Sequence, residues 1–391
     1  MQNFLHNANK PYEKLEKLEA IRGFTAVYVV FYHLFSRHRL VIYDIDLTAL
    51  FYLGHEAVIL FFILSGFVIY YAYEKSLNKS FKWYFLKRFL RIYIPLLLVF
   101  ISHYLLECAY SHQFNTLDWW TLMGNLLMLQ DITSIKPNAL FEPFLDNIPL
   151  WSLSYEWWFY FIFYLFKNIF KNNLSIIVYI LSVLATISYI PYPNFLNREL
   201  MYLVIWWVGA DMAQCYLRGQ DISLKTLKLP LLMLSTCVYI LFINIFIQHK
   251  INDIAHGLHG VIGFSPWLEF RHFSFALTAI LTASAWKKAN WWGFSKTLGL
   301  FKIFAPISFG LYISHWFLII QAHYLDAFIP SLGLRYLAYF IICLGFSYLI
   351  ERIIYVRLSH YVKIRIKLVK LKTSENLPND FLKPRNVKQI K

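Results

Sequence analysis

Charge is scarce in this sequence, and acidic charge most of all. Of 391 residues only 15% are charged, 22 being Asp or Glu against 37 Lys or Arg, while 59% are hydrophobic and 20% aromatic. Mean hydropathy is +0.48. So few charges cannot cover the surface of a soluble domain of this length, which leaves an integral membrane protein. Cysteine is also rare: Cys108, Cys215, Cys237 and Cys343 fall in or beside apolar runs at unrelated spacings, excluding a disulfide framework or a cysteine-held metal. No small-residue cleavage site follows the first apolar run, so no cleaved signal peptide is expected and that run stays in the membrane. No internal repeat stands out, and no appended soluble domain is expected. The formal charge of +15 does not point to nucleic acid, because the basic residues lie in short clusters between apolar runs.

What is present is a series of apolar stretches. Ten are long enough to span a bilayer, at about 18–36, 49–73, 88–110, 150–170, 174–191, 199–217, 228–248, 267–287, 303–325 and 332–356. The expected fold is an all-α polytopic bundle of about ten transmembrane helices. It comprises a cytoplasmic segment 1–17, one membrane domain 18–356 and a basic tail 357–391, expected to be disordered from about Thr373. Every second loop is basic, beginning with Lys75, Lys79, Lys82 and Lys87, and the tail continues the pattern with Lys363, Arg365 and Lys367. Both termini are therefore expected in the cytoplasm. The tryptophan pairs 119–120, 157–158, 206–207 and 291–292 read as interfacial anchors near helix ends. The longest external connection, 109–149, is expected to hold a short re-entrant or surface helix within Leu117–Gln130 and to serve as a lid or acceptor site.

Chemistry concentrates in a few polar residues within these runs. In Leu18–Phe35 the eleven steps from Arg22 to His33 turn through about 1100°, so both side chains share one helix face, about 16 Å apart along the axis. Ionisable groups placed so are functional candidates. The plainer reading is a snorkelling arginine and a histidine satisfied by a neighbour. Arg88 and Arg91 lie three residues apart at the cytoplasmic level of Arg22, and three guanidinium groups suit a polyanion; anchoring at a lipid surface is the alternative. Glu156, in the outer part of the fourth span, is expected near His33, where a carboxylate fixes a histidine tautomer and raises its basicity. Ser154 and Tyr155 beside it, with His315 in the ninth span, are candidate substrate contacts. Ser65-Gly66 reads as close helix packing, and Glu351 as a structural partner of Arg22 or Arg352. His249, Asp253, His256 and His259 form too sparse a set for a metal site, so no metal is expected.

Taken together, LEAIRGFTAVYVVFYHLF, FFILSGFVI, KRFLRIYIP, NLLMLQ, WSLSYEWWFY, ISFGLYISHWF and SYLIER, in that order across most of residues 18–352, resemble acyltransferase family 3. These membrane proteins move acyl groups, commonly acetyl from acetyl-CoA, to hydroxyls of surface or secreted glycans. The resemblance implies that Arg22 and His33 are essential, that Arg88 and Arg91 belong to the acyl-CoA donor site and that Glu156 lies in the active region. It also implies a bacterial inner-membrane location. The chain departs from the family where many members carry an aspartate two residues before the first phenylalanine of FFILSGF: here stands Ile59, with Glu56 one turn earlier. The expected mechanism docks coenzyme A phosphates on Arg88, Arg91 and Arg22. His33, oriented by Glu156, then deprotonates an acceptor hydroxyl, directly or through an acyl-enzyme. The acceptor is a surface polysaccharide, a lipid-linked glycan or a small glycosylated metabolite, and the acyl group acetyl or succinyl. A secondary transporter of a small anionic solute and a silent scaffold are the competing classes, and the first lacks the paired halves that transporters show.

Overall fold

Within lipid a chain must pair its own backbone N–H and C=O groups, and an apolar sequence does this by forming helices. The computed structural model describes residues 10–170, 173–252 and 264–375 and is almost wholly helical. In order the helices are α1 (Lys10–Arg37), α2 (Gly54–Lys75), α3 (Phe81–Ser111), α4 (Trp119–Leu126), α5 (Trp151–Ile169), α6 (Leu174–Tyr189), α7 (Phe195–Leu217), α8 (Lys228–Asn252), α9 (Trp267–Lys288), α10 (Ser308–His315), α11 (Leu332–Tyr348) and α12 (Tyr355–Glu375). Leu298–Ile307 enters α10 as a 3-10 helix, Trp316–Ile320 leaves it as a π-turn, and a second π-stretch, Leu349–Ile354, joins α11 to α12. Two-residue strands at Val41–Ile42 and Ile45–Asp46 form the one sheet among the described residues, turned by Tyr43 and Asp44 with φ of 48° and 62°.

A helix stands at each of the ten expected spans, and seven spans are long and apolar enough to cross a membrane. The chain is an integral membrane protein. The other three fall short for separate reasons. The α6 helix has 16 residues; α5 is rich in Trp, Tyr and Ser; α9 carries Glu269, Arg271, Lys287 and Lys288. The expected ten is reached only if these also cross. Two expected boundaries move. The first helix begins at Lys10, so it takes in part of the segment 1–17. The last runs on through α12 to Glu375, because no glycine or proline interrupts 346–375 and Lys, Arg and Leu favour helix. The tail beyond Glu375 lies outside the described residues.

Glycines let the central helices touch backbone to backbone. A Cβ on Gly66 of α2 would sit 1.9 Å from the Trp206 carbonyl of α7, and one on Gly209 of α7 would sit 1.9 Å from the Ile63 carbonyl. Ser65-Gly66 does serve close packing, as expected, but the same contact buries Trp206 and Trp207, which are 0% and 1% exposed. That tryptophan pair is core, not an interfacial anchor: facing a backbone crossing leaves no room for an exposed ring. Gly23 of α1 lies likewise against the 3-10 segment, its would-be Cβ 2.0 Å from the Phe301 carbonyl. In the long connection α4 forms within the expected stretch, capped by Asp118, whose carboxylate accepts from the Trp120 and Thr121 amides. The hydrogen bonds from Thr121 hold that carboxyl below its ordinary value. The same connection then turns inward. Lys136, 1% exposed, pairs with Asp131 at 2.7 Å, and Arg198 reaches Asp131 at 3.4 Å. Burial lowers the Lys136 ammonium from its ordinary value, with Asp131 opposing the shift.

Candidate active site

Arg22 of α1, Ser65 of α2, Arg88 and Arg91 of α3, Glu156 of α5 and Tyr312 of α10 line a single cavity of about 170 Å3. Helix geometry explains which residues arrive. Ser152, Glu156 and Tyr160 follow at i+4 on one face of α5, and Arg88 and Arg91 share a face of α3. The three arginines expected at one level do converge.

Their partners differ. Arg22 donates to the Ala305 carbonyl at 2.9 Å. Arg91 pairs with Glu351 at 2.5 Å and lies 5.2 Å from the Phe309 ring and 5.3 Å from the Tyr355 ring. Glu351 also accepts the Gly310 amide. Its expected partner was Arg22 or Arg352. The π-stretch Leu349–Ile354 turns Glu351 inward, 3% exposed, while Arg352 stays exposed. Arg88 rests over the Tyr84 and Tyr160 rings at 5.5 and 5.8 Å, its Nε is buried without a hydrogen-bond partner, and it forms no ion pair among the described residues. Three guanidinium groups against the carboxylates of Glu156 and Glu351 leave the site with positive charge in excess.

Glu156 does not reach His33. Its Oε1 accepts from Ser65 Oγ at 2.8 Å and from Tyr160 OH, and Ser65 Oγ accepts in turn from Trp206 Nε1 at 3.2 Å. The α5 face that carries Glu156 turns it to the arginine cavity, and the hydroxyls of α2 and α5 hold it there. His33, half-buried, sits one layer further along α1. Its ring lies 5.3 Å from His315 at 27° and 5.0 Å from Trp316 edge-on. Tyr312 stands between the layers: its hydroxyl meets Ser152 Oγ at 2.8 Å and the Pro149 carbonyl at 2.7 Å, and its ring centre is 6.1 Å from His315. Beyond His33 a string of rings continues through Tyr32 to His55 and His272 at 4.7, 5.6 and 6.0 Å between successive centres.

Ser154 and Tyr155 are not brought to the cavity. One helical step of about 100° turns Tyr155 away from Glu156, and two steps, about 200°, turn Ser154 away. Ser154 donates to the Trp151 carbonyl at 2.8 Å, and Tyr155 donates to Asp131 at 2.7 Å in the network with Lys136 and Arg198. Sequence reasoning missed Ser65, Tyr160 and Tyr312 as site residues. The i+4 spacing of Tyr160 from Glu156 was the one readable signal, since hydroxyls on apolar helices otherwise look like packing. Glu56 pairs with Arg271 and is 2% exposed. Of the histidines weighed for a metal, His256 and His259, with Asp253, lie outside the described residues, as does the side chain of His249.

No curated protein and no solved structure matches the chain. A family model described as an acyltransferase domain matches residues 15–352, which includes every residue of the cavity and of the histidine layer above it. The chain is thus a membrane acyltransferase and belongs to acyltransferase family 3.

Proposed function

We propose that this acyltransferase takes a short acyl group, acetyl first among them, from acyl-CoA on the cytoplasmic side of a bacterial inner membrane and transfers it to a hydroxyl of a surface polysaccharide or a lipid-linked glycan. The carrying observation is the convergence of Arg22, Arg88 and Arg91 with Glu156 on one cavity. Guanidinium groups match phosphate oxygens in a forked geometry, and Arg88, with no carboxylate of its own, is the one most available to a coenzyme A phosphate. A cavity of about 170 Å3 suits a small group, since about 150 Å3 holds one benzene. The coenzyme A phosphates meet the arginines at the edge of this cavity, and the pantetheine arm carries the thioester inward through it.

Still joined to coenzyme A as the thioester, the acyl group passes Tyr312 towards His33. The acceptor oxygen bonds to the thioester carbonyl carbon, the C–S bond breaks, and His33 takes the hydroxyl proton and returns it to the coenzyme A thiolate. Both termini lie on the donor side in this arrangement. Mass spectrometry of envelope polysaccharides from cells with and without the gene tests the reading: loss of an acetyl-sized increment is expected. Unchanged polysaccharides, together with no label transferred from acetyl-CoA by the purified protein, overturn it.

A further inference from the structure

The outer layer holds a buried lone pair that nothing in the fold uses. His315, 0% exposed, places Nδ1 at 2.7 Å from the Tyr312 carbonyl and 3.2 Å from the Leu311 carbonyl. Carbonyl oxygens only accept, so the ring hydrogen sits on Nδ1 and Nε2 carries the lone pair. That Nε2 is buried with no partner, a condition buried polar atoms rarely keep without a reason. The nearest imidazole is His33, its centre 5.3 Å away and its plane inclined by 27°.

His33 has the complementary need. A histidine that presents a lone pair to a hydroxyl carries its hydrogen on the other nitrogen, and that hydrogen requires an acceptor. Glu156 is held by Ser65 and Tyr160 on the far side of Tyr312. Two imidazoles joined by an N–H···N bond of about 2.9 Å have ring centres about 5 Å apart, so the observed pair is within a side-chain rotation of bonding.

We propose that His315 is the positioning residue of His33: its Nε2 accepts the His33 ring hydrogen, holds the tautomer that presents a lone pair to the acceptor hydroxyl, and steadies the imidazolium formed during transfer. The proposal rests on the acyl-transfer reading above. A neutral acceptor does this work without burying a carboxylate in the outer half of the membrane, where an unpaired charge is costly.

The test compares His315→Gln, His315→Asn and His315→Ala in membrane vesicles carrying the full chain and supplied with radiolabelled acetyl-CoA. Label reaching carbohydrate is read per amount of folded protein, measured by gel filtration in detergent. Asn reproduces the Nδ1 contact to the Tyr312 carbonyl but does not extend to the Nε2 position; the Gln carboxamide oxygen reaches that position and accepts. Gln is expected to keep kcat within about tenfold of the unaltered protein, while Asn and Ala lose about a hundredfold or more, with KM for acetyl-CoA within about threefold in all. A purely structural histidine gives the reverse order, Asn above Gln, and that order, or equal activity in all variants, overturns the dyad. Vesicles of the unaltered protein that transfer no label overturn the acyl-transfer reading itself.

Discussion

Arg22 and His33 share one uninterrupted helix, about 16 Å apart, and their surroundings obey opposite rules. Around Arg22 the polar groups are ions. Two carboxylates and three guanidinium groups meet there, each carboxylate held by hydroxyl, amide or arginine donors, and positive charge is left over. Around His33 the groups are mostly rings, with the Arg37 guanidinium 5.5 Å over Trp316 as the nearby cation, and two ring nitrogens lack partners: His315 Nε2 and Trp316 Nε1 are buried and unsatisfied. A place with surplus positive charge suits the anion of the proposed donor. A place with paired imidazoles and an unused lone pair suits the proposed proton transfer. The two are separated by Tyr312, whose hydroxyl is tied down on one side and whose ring faces His315 on the other.

The largest effect that sharpens this contrast comes from the histidine layer. His33→Ala is expected to lower acetyl transfer by about a hundredfold or more while acetyl-CoA binding changes less than about threefold; parallel kinetics and equilibrium binding check it. In the arginine layer Arg88 and Arg91 are expected to fail differently. Arg91→Ala leaves Glu351 buried and unpaired, a loss of about 3 kcal/mol, the lower end for such a pair because Arg91 is 32% exposed. Thermal unfolding in detergent should show that loss, and adding Glu351→Gln should restore part of it. Arg88→Ala breaks no ion pair and should cost only about 1 kcal/mol in unfolding, for its contacts with the Tyr84 and Tyr160 rings, while weakening acetyl-CoA binding by about tenfold. Equal behaviour of the two arginines would erase the distinction between a structural and a donor-binding guanidinium. The smallest effect is at Ser65. Ser65→Ala removes one hydrogen bond from Glu156 and one from Trp206, costing about 1 kcal/mol in stability, again read by thermal unfolding.

Much of this arrangement was legible in the sequence. Helical periodicity placed Arg22 and His33 on one face, and the RxxR spacing brought Arg88 and Arg91 to the same level. The ordered motifs pointed to the family. What misled was depth without direction. Glu156 lies near His33 by count of residues along its helix, yet the face it occupies is fixed by Ser65 and Tyr160, and the first of these is 91 residues away. Trp206 and Trp207 look like anchors by position and are core by contact, because Gly66 and Gly209 draw α2 and α7 together. Glu351 was a good candidate for an ion pair, but which arginine it meets depends on a π-stretch that leaves no mark in hydropathy.

The sequence by itself therefore determined the solvent, the helices and the residue types: an apolar composition must fold in lipid, helix is the conformation lipid permits, and buried arginine and histidine there need a purpose. Only the tertiary structure decided the pairings. Arg91 with Glu351, Glu156 with Ser65 and Tyr160, and His33 beside His315 are contacts between helices far apart in the chain, set by where glycines allow backbones to meet. Periodicity fixes the face of a residue on its own helix, but not which neighbouring helix that face will meet.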